Sequence, residues 1–457
     1  MNSCFYFEVS GNIVIKLLIL GIPIQNLGHF KAEFKTTPKK IVEKELKINL
    51  LMIGILLCSL PLMAQTTEEP PETTTLVANN SYVFSYSKQE LKGEAANFLV
   101  KATASSQFVL LGEQHMDHEI PIFAGALFRM LHQHHGFGTL VVEQDPIAIE
   151  DALAPDRRGN AERLAAYSAK YPTLFEFDTD EDLSLLADVS SMIPGPDAIW
   201  GAEQATSSAR ALEELISLAA NDDSKSLTQK MYALARDSEN TPGFEDNWLI
   251  QSDTEKQIES LIQVFDPTPK SRADRLLTGL KKSAEIYGYY IRAEGGDWVG
   301  LYNNTVREAL IKELFLERYH AASQDGSLPK ALFKYGNYHL YHGKSPTQAY
   351  PIGNLAHEFA IVNGMEAYGI AVYAQGENYQ TLDDLPDWMK PLLPAQQPTV
   401  PTLIDLRALR PYQRLFRIQV ADIEQWKLRD LINGYDAIVL LPGSRPAQRL
   451  LGGRGEQ

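Results

Sequence analysis

The sequence predicts an α/β domain whose central, mostly parallel sheet is flanked by helices. Short runs rich in valine, isoleucine and leucine alternate with segments of helical period, as they do in βαβ units. The run Phe108–Leu111 precedes a helical pattern over Glu119–His135, and a second run, Thr139–Val142, follows it. This strand, helix and strand fill about 35 residues and predict two parallel strands that are neighbours in the sheet.

The rest of the body continues the same alternation. Helices are predicted over Ser87–Ala102, Asn160–Lys170, Asp180–Met192, Ser207–Ala219, Asn304–Arg318, Gly353–Val362 and Asp422–Leu431. Further strands are predicted over Ala198–Glu203, Ala331–Tyr335, Ala367–Tyr373, Thr402–Leu406 and Ala437–Leu441. Between about 222 and 296 strand signals are absent and polar helical segments dominate. This pattern predicts a single α/β domain over 86–457 with a helical insertion, or lid, at 222–296.

The first 85 residues are predicted to lie outside this domain. Residues 49–64 form an apolar stretch that follows several lysines and ends in a small residue, which is typical of the h-region of a secretory signal peptide. We interpret residues 1–48 as an upstream extension and the Thr-, Glu- and Pro-rich residues 65–85 as a disordered linker. The protein is therefore expected to be exported by a bacterium, to the periplasm or the exterior, with no stable membrane span once mature.

Composition excludes several classes of function. The formal net charge of −16 and the absence of a basic run in the body argue against nucleic-acid binding, which needs a basic face. Both cysteines, Cys4 and Cys58, lie in the leader, so the body has no thiol nucleophile, disulfide or cysteine-ligated metal. No Gly-x-Ser-x-Gly elbow is present, which argues against a serine nucleophile of that type. The helical lid predicted at 222–296 favours a small-molecule ligand or substrate over a flat protein surface.

Ionisable and amide side chains follow three of the predicted strands. They are Glu113 and His115 after the first strand, Glu143 after the second, and Asn337 and His339 after a later one. Ligands of open α/β sheets bind beyond the carboxyl ends of the strands, so these groups are expected to share one crevice. Histidine with neighbouring carboxylates can activate water, and the same set can bind a divalent metal. The residues alone leave both chemistries open.

Each candidate also has a purely structural interpretation. His118 and Glu119 belong to the run after the first strand and are interpreted as supporting residues, although Glu119 could simply begin a helix, where negative charge suits the dipole. Glu143 could be an ordinary loop charge, and His339 could lie in a surface turn. The position of Glu143 directly after so apolar a run favours a functional role.

At this point the pattern resembles the erythromycin esterase, ChaN and Tiki superfamily of α/β proteins. The resemblance is carried by Gly112-Glu113-Gln114-His115, by Val141-Val142-Glu143 and by Asn337-Tyr338-His339. Arg307 with Glu308, the segment from Ala198 to the supporting residue Glu203, and the last strand before Pro442 are also similar. Esterases usually place two residues between the Glu and the His. The single residue here is closer to ChaN-like proteins and argues against erythromycin itself as the substrate.

The resemblance implies an exported hydrolase that cleaves an ester or lactone. In that reading His115 activates water, Glu113 and Glu143 orient it and handle protons, and His339 completes the site or stabilises the oxyanion. Two alternatives come with the same resemblance: a ChaN-like protein that binds haem or a metal without turnover, and a Tiki-like metal-dependent peptidase. Either would use the same four side chains around a divalent metal or haem, with Arg307 and Asn337 in support.

Overall fold

The structure is a computed structural model that describes residues 3–9, 13–19, 71–241, 247–374, 385–394, 399–421 and 424–448. The chain divides into two units, residues 1–70 and residues 71–457. In the first unit, strands β1 (Ser3–Val9) and β2 (Ile13–Ile19) pair antiparallel. The expected signal segment at 49–64 lies outside the described residues. Among those described, no helix is both long and apolar enough to cross a membrane.

The second unit contains a nine-stranded sheet, in the order β4-β3-β10-β11-β9-β5-β8-β6-β7. Its strands are β3 (Ser81–Ser87), β4 (Glu90–Gly93), β5 (Ser106–Glu113), β6 (Thr139–Val142), β7 (Ile199–Gly201), β8 (Ala331–Gly336), β9 (Glu366–Ala374), β10 (Thr402–Asp405) and β11 (Ala437–Leu441). The six strands from β11 to β7 are parallel, whereas β10 is antiparallel to both of its neighbours and β3 is antiparallel to β4. The predicted fold class is confirmed.

Helices cover both faces of the sheet. They are α1 (Thr73–Asn79), α2 (Glu94–Ala102), α3 (Glu119–His135), α4 (Pro146–Ala152), α5 (Ala161–Lys170), α6 (Asp180–Met192), α7 (Ser208–Leu218), α8 (Asp222–Asn240), α9 (Thr254–Phe265), α10 (Arg272–Glu294), α11 (Tyr302–Ala322), α12 (Ile352–Val362), α13 (Gln413–Arg417) and α14 (Gln425–Gly434). Every residue of β5 is buried, as expected for a central parallel strand. Its alternate side chains divide between two cores: Val109 packs with α3, and Phe108 packs with α11.

Helices α7 to α10 form a separate helical layer with its own apolar cluster, which spans the region from 208 to 294. Ion pairs tie this layer to the sheet domain. Arg210 on α7 binds Asp151 on α4 through two hydrogen bonds, of 2.7 and 2.9 Å. Arg272 on α10 binds Glu214 on α7 and also reaches Glu150 on α4. These partly buried ion pairs hold the helical layer against α4.

Three expectations about the fold are wrong. Strands β5 and β6 are not neighbours, because β8 lies between them and pairs with both. Chain order favours adjacency in the sheet but does not require it. The expected helix over Ser87–Ala102 begins only at Glu94, and a strand, β4, occupies its first half. The described part of the expected linker, 71–85, forms α1 and most of β3, and burial of Phe84 against the core explains its order despite a polar composition.

Candidate active site

The carboxyl ends of four adjacent strands carry the candidate site. Glu113 is the last residue of β5, Gly336 is the last of β8, and Glu143 comes directly after β6. Glu203 comes two residues after β7, and Arg307, near the start of α11, reaches this same edge. The structure therefore brings together groups that are separated by more than two hundred residues of sequence.

His115 lies between two buried carboxylates. Its Nδ1 is 3.3 Å from Oε1 of Glu113, and its Nε2 is 3.7 Å from Oε2 of Glu143. The ring stacks on Phe177 with the centroids 4.3 Å apart, and 36% of the side chain stays exposed. Burial opposes the charged form, but the carboxylates of Glu143 and Glu113 outweigh it and raise the pKa of His115 above 6.5. The imidazole is thus held between two carboxylates, more basic than a free histidine and partly exposed.

Glu113 is held by a buried lysine that the sequence analysis did not single out. Lys334 of β8 contacts Glu113 and Asp182 of α6 at 2.8 Å each, and only 5% of its side chain is exposed. Burial favours protonation of Glu113, yet the charges of Lys334 and His115 lower its pKa below 4.5. Glu113 therefore stays ionised beside His115 Nδ1, where it accepts a hydrogen bond from the ring.

Glu143 accepts hydrogen bonds on both of its oxygens. The backbone N–H of Gly336 donates to Oε2 at 2.7 Å, and Arg307 Nη2 donates to Oε1 at 2.8 Å. Arg307 also donates from Nε to Glu203 at 2.9 Å. Although burial opposes it, the charges of His339, His115 and Arg307 hold the pKa of Glu143 well below 4.5. Glu143 is therefore a fixed negative charge between cations.

His339 is a buried cation. Its Nδ1 is 2.5 Å from Glu308 Oε1, and its Nε2 is 3.4 Å from Glu143 Oε1. The other oxygen of Glu308 accepts from the backbone N–H of Ile352 at 2.8 Å, which fixes the carboxylate. Burial lowers the pKa of His339, but Glu143 and Glu308 raise it to about 10. At neutral pH the ring therefore carries a proton on each nitrogen.

Two glycines leave room for these side chains. A β-carbon at Gly336 would lie 2.5 Å from His115 Nε2, so the histidine ring occupies the space that any other residue's side chain would fill. A β-carbon at Gly112 would meet the hydroxyl of Tyr435, which itself donates to the backbone carbonyl of Asn337. Asn337, predicted as a supporting residue, thus accepts a hydrogen bond from Tyr435 through its backbone carbonyl.

His118 and Glu119 lie outside this cluster, contrary to their predicted role. His118 contacts Glu119 at 2.9 Å through Nδ1 and Glu181 at 3.2 Å through Nε2. Glu119 accepts a hydrogen bond from Tyr86 at 2.7 Å. The two residues belong to a polar cluster around the start of α3 rather than to the strand-end cluster, because Met116 turns the chain there through a positive φ of 63°.

A segment from Ser444 to Gln448, which we call the strap, holds the loop after His115. Ser444 Oγ donates to Asp117 at 2.6 Å, and His118 N donates to the carbonyl of Arg445 at 2.9 Å. Ala447 N donates to the carbonyl of Met116 at 2.8 Å. The two residues that follow His115 are therefore hydrogen-bonded to chain that comes more than three hundred residues later.

The expected metal ligands do not form a metal-binding set. In the described ranges no three histidine, cysteine or carboxylate side chains are placed to hold a metal ion. Glu113 and Glu143 are occupied by Lys334 and Arg307, and both nitrogens of His339 face carboxylates. His115 Nδ1 faces Glu113, so only Nε2 of this ring is open to a ligand. The donor set is already neutralised by protein cations, which suits neither a divalent ion nor an axial bond to haem iron.

Several site residues were missed from the sequence. Lys334 had a visible signal, since a lysine inside an otherwise apolar, fully buried strand needs a partner. Asp182 was hidden as an ordinary acidic residue in the first turn of a helix. Glu176 and Phe177 had no signal, because they lie in an irregular segment between α5 and α6.

The structure is similar to three solved structures of low sequence identity. An erythromycin esterase mutant in its open conformation is 14% identical, with a TM-score of 0.51 over 80% of this chain and 99% of that one. A Bacillus cereus protein is 13% identical, with a TM-score of 0.52 over 83% of this chain and 100% of that one. A succinoglycan biosynthesis protein is 13% identical, with a TM-score of 0.50 over 82% of this chain and 97% of that one.

At these identities the likeness shows the fold alone. The α/β fold that the resemblance implied is thereby confirmed. No family model matches the sequence, and no curated protein sequence matches it.

Proposed function

We propose that this protein is an exported hydrolase that cleaves a carboxylic ester or lactone of a small molecule with water activated by His115. The observation that carries the proposal is the orientation of that ring. Its Nδ1 faces ionised Glu113, its Nε2 lies 3.7 Å from Glu143, and 36% of the side chain is exposed. That distance is too long for a direct hydrogen bond and leaves Nε2 available to a water molecule.

In this mechanism His115 is the general base. The N–H at Nδ1 donates a hydrogen bond to Glu113 and keeps its proton. The lone pair of the neutral ring therefore lies on Nε2. A water molecule at Nε2 gives up its proton to the ring as its oxygen attacks the ester carbonyl. Lys334 keeps Glu113 ionised, and ionised Glu113 stabilises the imidazolium that forms.

Two cations at the same edge suit the negative charge that develops on the carbonyl oxygen. His339 carries a full positive charge at neutral pH, and Arg307 keeps 23% of its side chain exposed. Both are fixed by buried carboxylates, so they need no rearrangement when charge develops. Preorganised positive charge of this kind supports acyl transfer from oxygen to water.

The substrate class rests on the site and on one relative. The erythromycin esterase with the same fold is named for hydrolysis of an ester, and its likeness here is limited to the fold. The carboxylates of the cluster are buried, and Tyr287 of the helical layer acts electrostatically on Glu203 and Arg307, which fits a small molecule better than a flat protein surface. Export rests on the apolar stretch at 49–64 and its lysine-rich approach.

The test is hydrolysis of a panel of model esters and lactones by the full chain, with and without a chelator. His115→Ala should abolish turnover, whereas His320→Ala, an exposed histidine on α11, should not change it. Turnover that survives the chelator and needs His115 supports the proposal. Turnover lost to the chelator and restored by metal points to a metal-dependent hydrolase. No turnover, together with a new Soret band on addition of haem, points to a binding protein.

A further inference from the structure

We propose that Glu176 is the proton donor to the leaving alcohol, a catalytic residue distinct from His115. The assignment rests on the proposed ester hydrolysis and adds the acid that such a reaction needs when the leaving group is a poor one. Glu176 lies in the segment 171–179, between α5 and α6, which the sequence analysis left without a role.

The segment is fixed to the strand ends at three points. Glu176 N donates to the side-chain oxygen of Gln144, the residue after Glu143, at 2.8 Å. Thr206, three residues beyond Glu203, donates to the carbonyl of Thr173 at 2.7 Å. Phe177 stacks on the ring of His115. The backbone of Glu176 is therefore held against the same edge as the proposed base.

Glu176 differs from the other carboxylates of the site because no cation donates a hydrogen bond to it within the described part of the chain. Glu113, Glu143, Glu203 and Glu308 are each at most 4% exposed and each accepts a hydrogen bond from a cation. Glu176 is partly exposed, and no hydrogen bond or ion pair from the described part of the chain holds its carboxyl. It is thus free to exchange a proton with a bound molecule.

The surrounding charges favour the protonated form of Glu176. Ionisable groups that act on it electrostatically from the packed elements include Glu143, Glu203, His115, Arg307 and Tyr287. Burial raises the pKa of Glu176 above 4.5, and the two carboxylates add to this effect against the opposing charges of Arg307 and His115. The pKa of Glu143 moves in the opposite direction. Of these two carboxyls, Glu176 is therefore the one suited to donate a proton.

The step balances without any further reactant. Water adds to the carbonyl carbon as His115 Nε2 takes its proton, and the carbon–oxygen bond to the leaving group then breaks. Glu176 gives its proton to the departing oxygen, so an alcohol leaves rather than an alkoxide. Solvent returns a proton to Glu176 and removes one from His115, which restores both groups for the next turnover.

The experiment compares two esters of one acid, a p-nitrophenyl ester and an ethyl ester, in the full chain. p-Nitrophenolate can leave as the anion, whereas ethoxide must receive a proton in order to leave. Glu176→Gln should lower kcat/KM for the ethyl ester by about 100-fold or more and for the p-nitrophenyl ester by less than about threefold. It should also remove the fall in ethyl ester hydrolysis toward alkaline pH. Glu176→Asp keeps an acid and should restore part of the loss.

Other outcomes overturn the assignment. An equal loss for both esters shows a structural role, and no loss for either shows that His115 delivers the proton itself. The midpoint of thermal unfolding should be the same in Glu176→Gln and wild type, since a fall would give a structural cause for the loss. Wild-type protein that hydrolyses neither ester, or His115→Ala protein that still hydrolyses both, overturns the proposed function and the donor role with it.

Discussion

The ring of His115 occupies the space above Gly336, and a β-carbon there would lie 2.5 Å from Nε2. Gly336 ends β8, the strand between β5 and β6, and its N–H also binds Glu143. The ring of His115, which follows β5, thus lies across the end of β8 and faces Glu143, which follows β6. This crossing is possible only because the intervening residue has no side chain.

Gly336→Ala should therefore lower activity without unfolding the protein. The partly exposed ring must move aside, and a displacement of about 1 Å at a catalytic group can cost about 100-fold in rate. The matched control is Gly138→Ala, because a β-carbon there meets nothing within 4 Å. Steady-state kinetics and thermal unfolding of both variants check this. Full activity in Gly336→Ala would show that the position of the ring is not critical.

Hydrolysis of an activated ester should depend on a single group with a pKa above 6.5. His115 works as a base only when it is neutral, and Glu143 and Glu113 raise its pKa, so kcat/KM rises with pH until the ring has lost its proton. In Glu143→Gln the largest charge that raises this pKa is gone, and the midpoint should move to lower pH. The measurement is a pH–rate profile for a p-nitrophenyl ester. An unchanged midpoint in Glu143→Gln would contradict the assignment.

Lys334→Met should destabilise the fold by about 3–5 kcal/mol, because it leaves Glu113 and Asp182 without their shared cation. The pKa of Glu113 is lowered in the wild type, so its contribution is present above the unfolded value of 4.5 and is lost as the pH falls. The deficit should therefore be larger at about pH 8 than at about pH 3.

Denaturant titrations of Lys334→Met at both pH values provide the measurement. Lys281→Met is the control, since that lysine forms an exposed pair with Glu259 and should change stability by less than about 0.5 kcal/mol. A deficit that did not vary with pH would point to lost packing rather than lost charge.

His339→Asn should lower kcat by about 100- to 1,000-fold with little change in KM, since the ring stabilises charge that appears only in the transition state. With a pKa of about 10, the ring should remain protonated at about pH 8 in an NMR titration. The stability that it provides is complete below its ordinary value of 6.5 and is lost as the pH rises toward 10. His320→Asn is the matched control. A ring that titrates near 6.5 would rule out its role as a permanent cation.

The sequence predicted most of the elements and the convergence of Glu113, His115, Glu143 and His339. Apolar runs followed by ionisable residues were sufficient for this, because parallel strands end at a common edge. The sequence did not predict that β8 lies between β5 and β6. All three strands are buried on both faces, so their apolar patterns are the same and do not indicate their order in the sheet. The contacts of Lys334 with Glu113 and Asp182 depend on that order and so were not predictable either.

The segment that contains Glu176 shows a second limit. No periodicity marks residues 171–179, and their placement comes from tertiary hydrogen bonds to Gln144 and Thr206. His118 and Glu119 show the opposite error. They were predicted to join the site because they are close to His115 in sequence. A turn at Met116 directs them elsewhere.

The hydrogen bonds that hold the loop after His115 can form only after the strap has been synthesised. Asp117 and Ser444 are 327 positions apart, and a ribosome adds roughly 5–20 residues each second, so tens of seconds separate their synthesis. During that interval the loop after His115 lacks the hydrogen bonds that hold it. A chain that emerges vectorially from a ribosome or a translocation channel is therefore expected to be catalytically silent until the strap arrives. Activity would then report that the whole sheet, and not merely its first strands, has assembled.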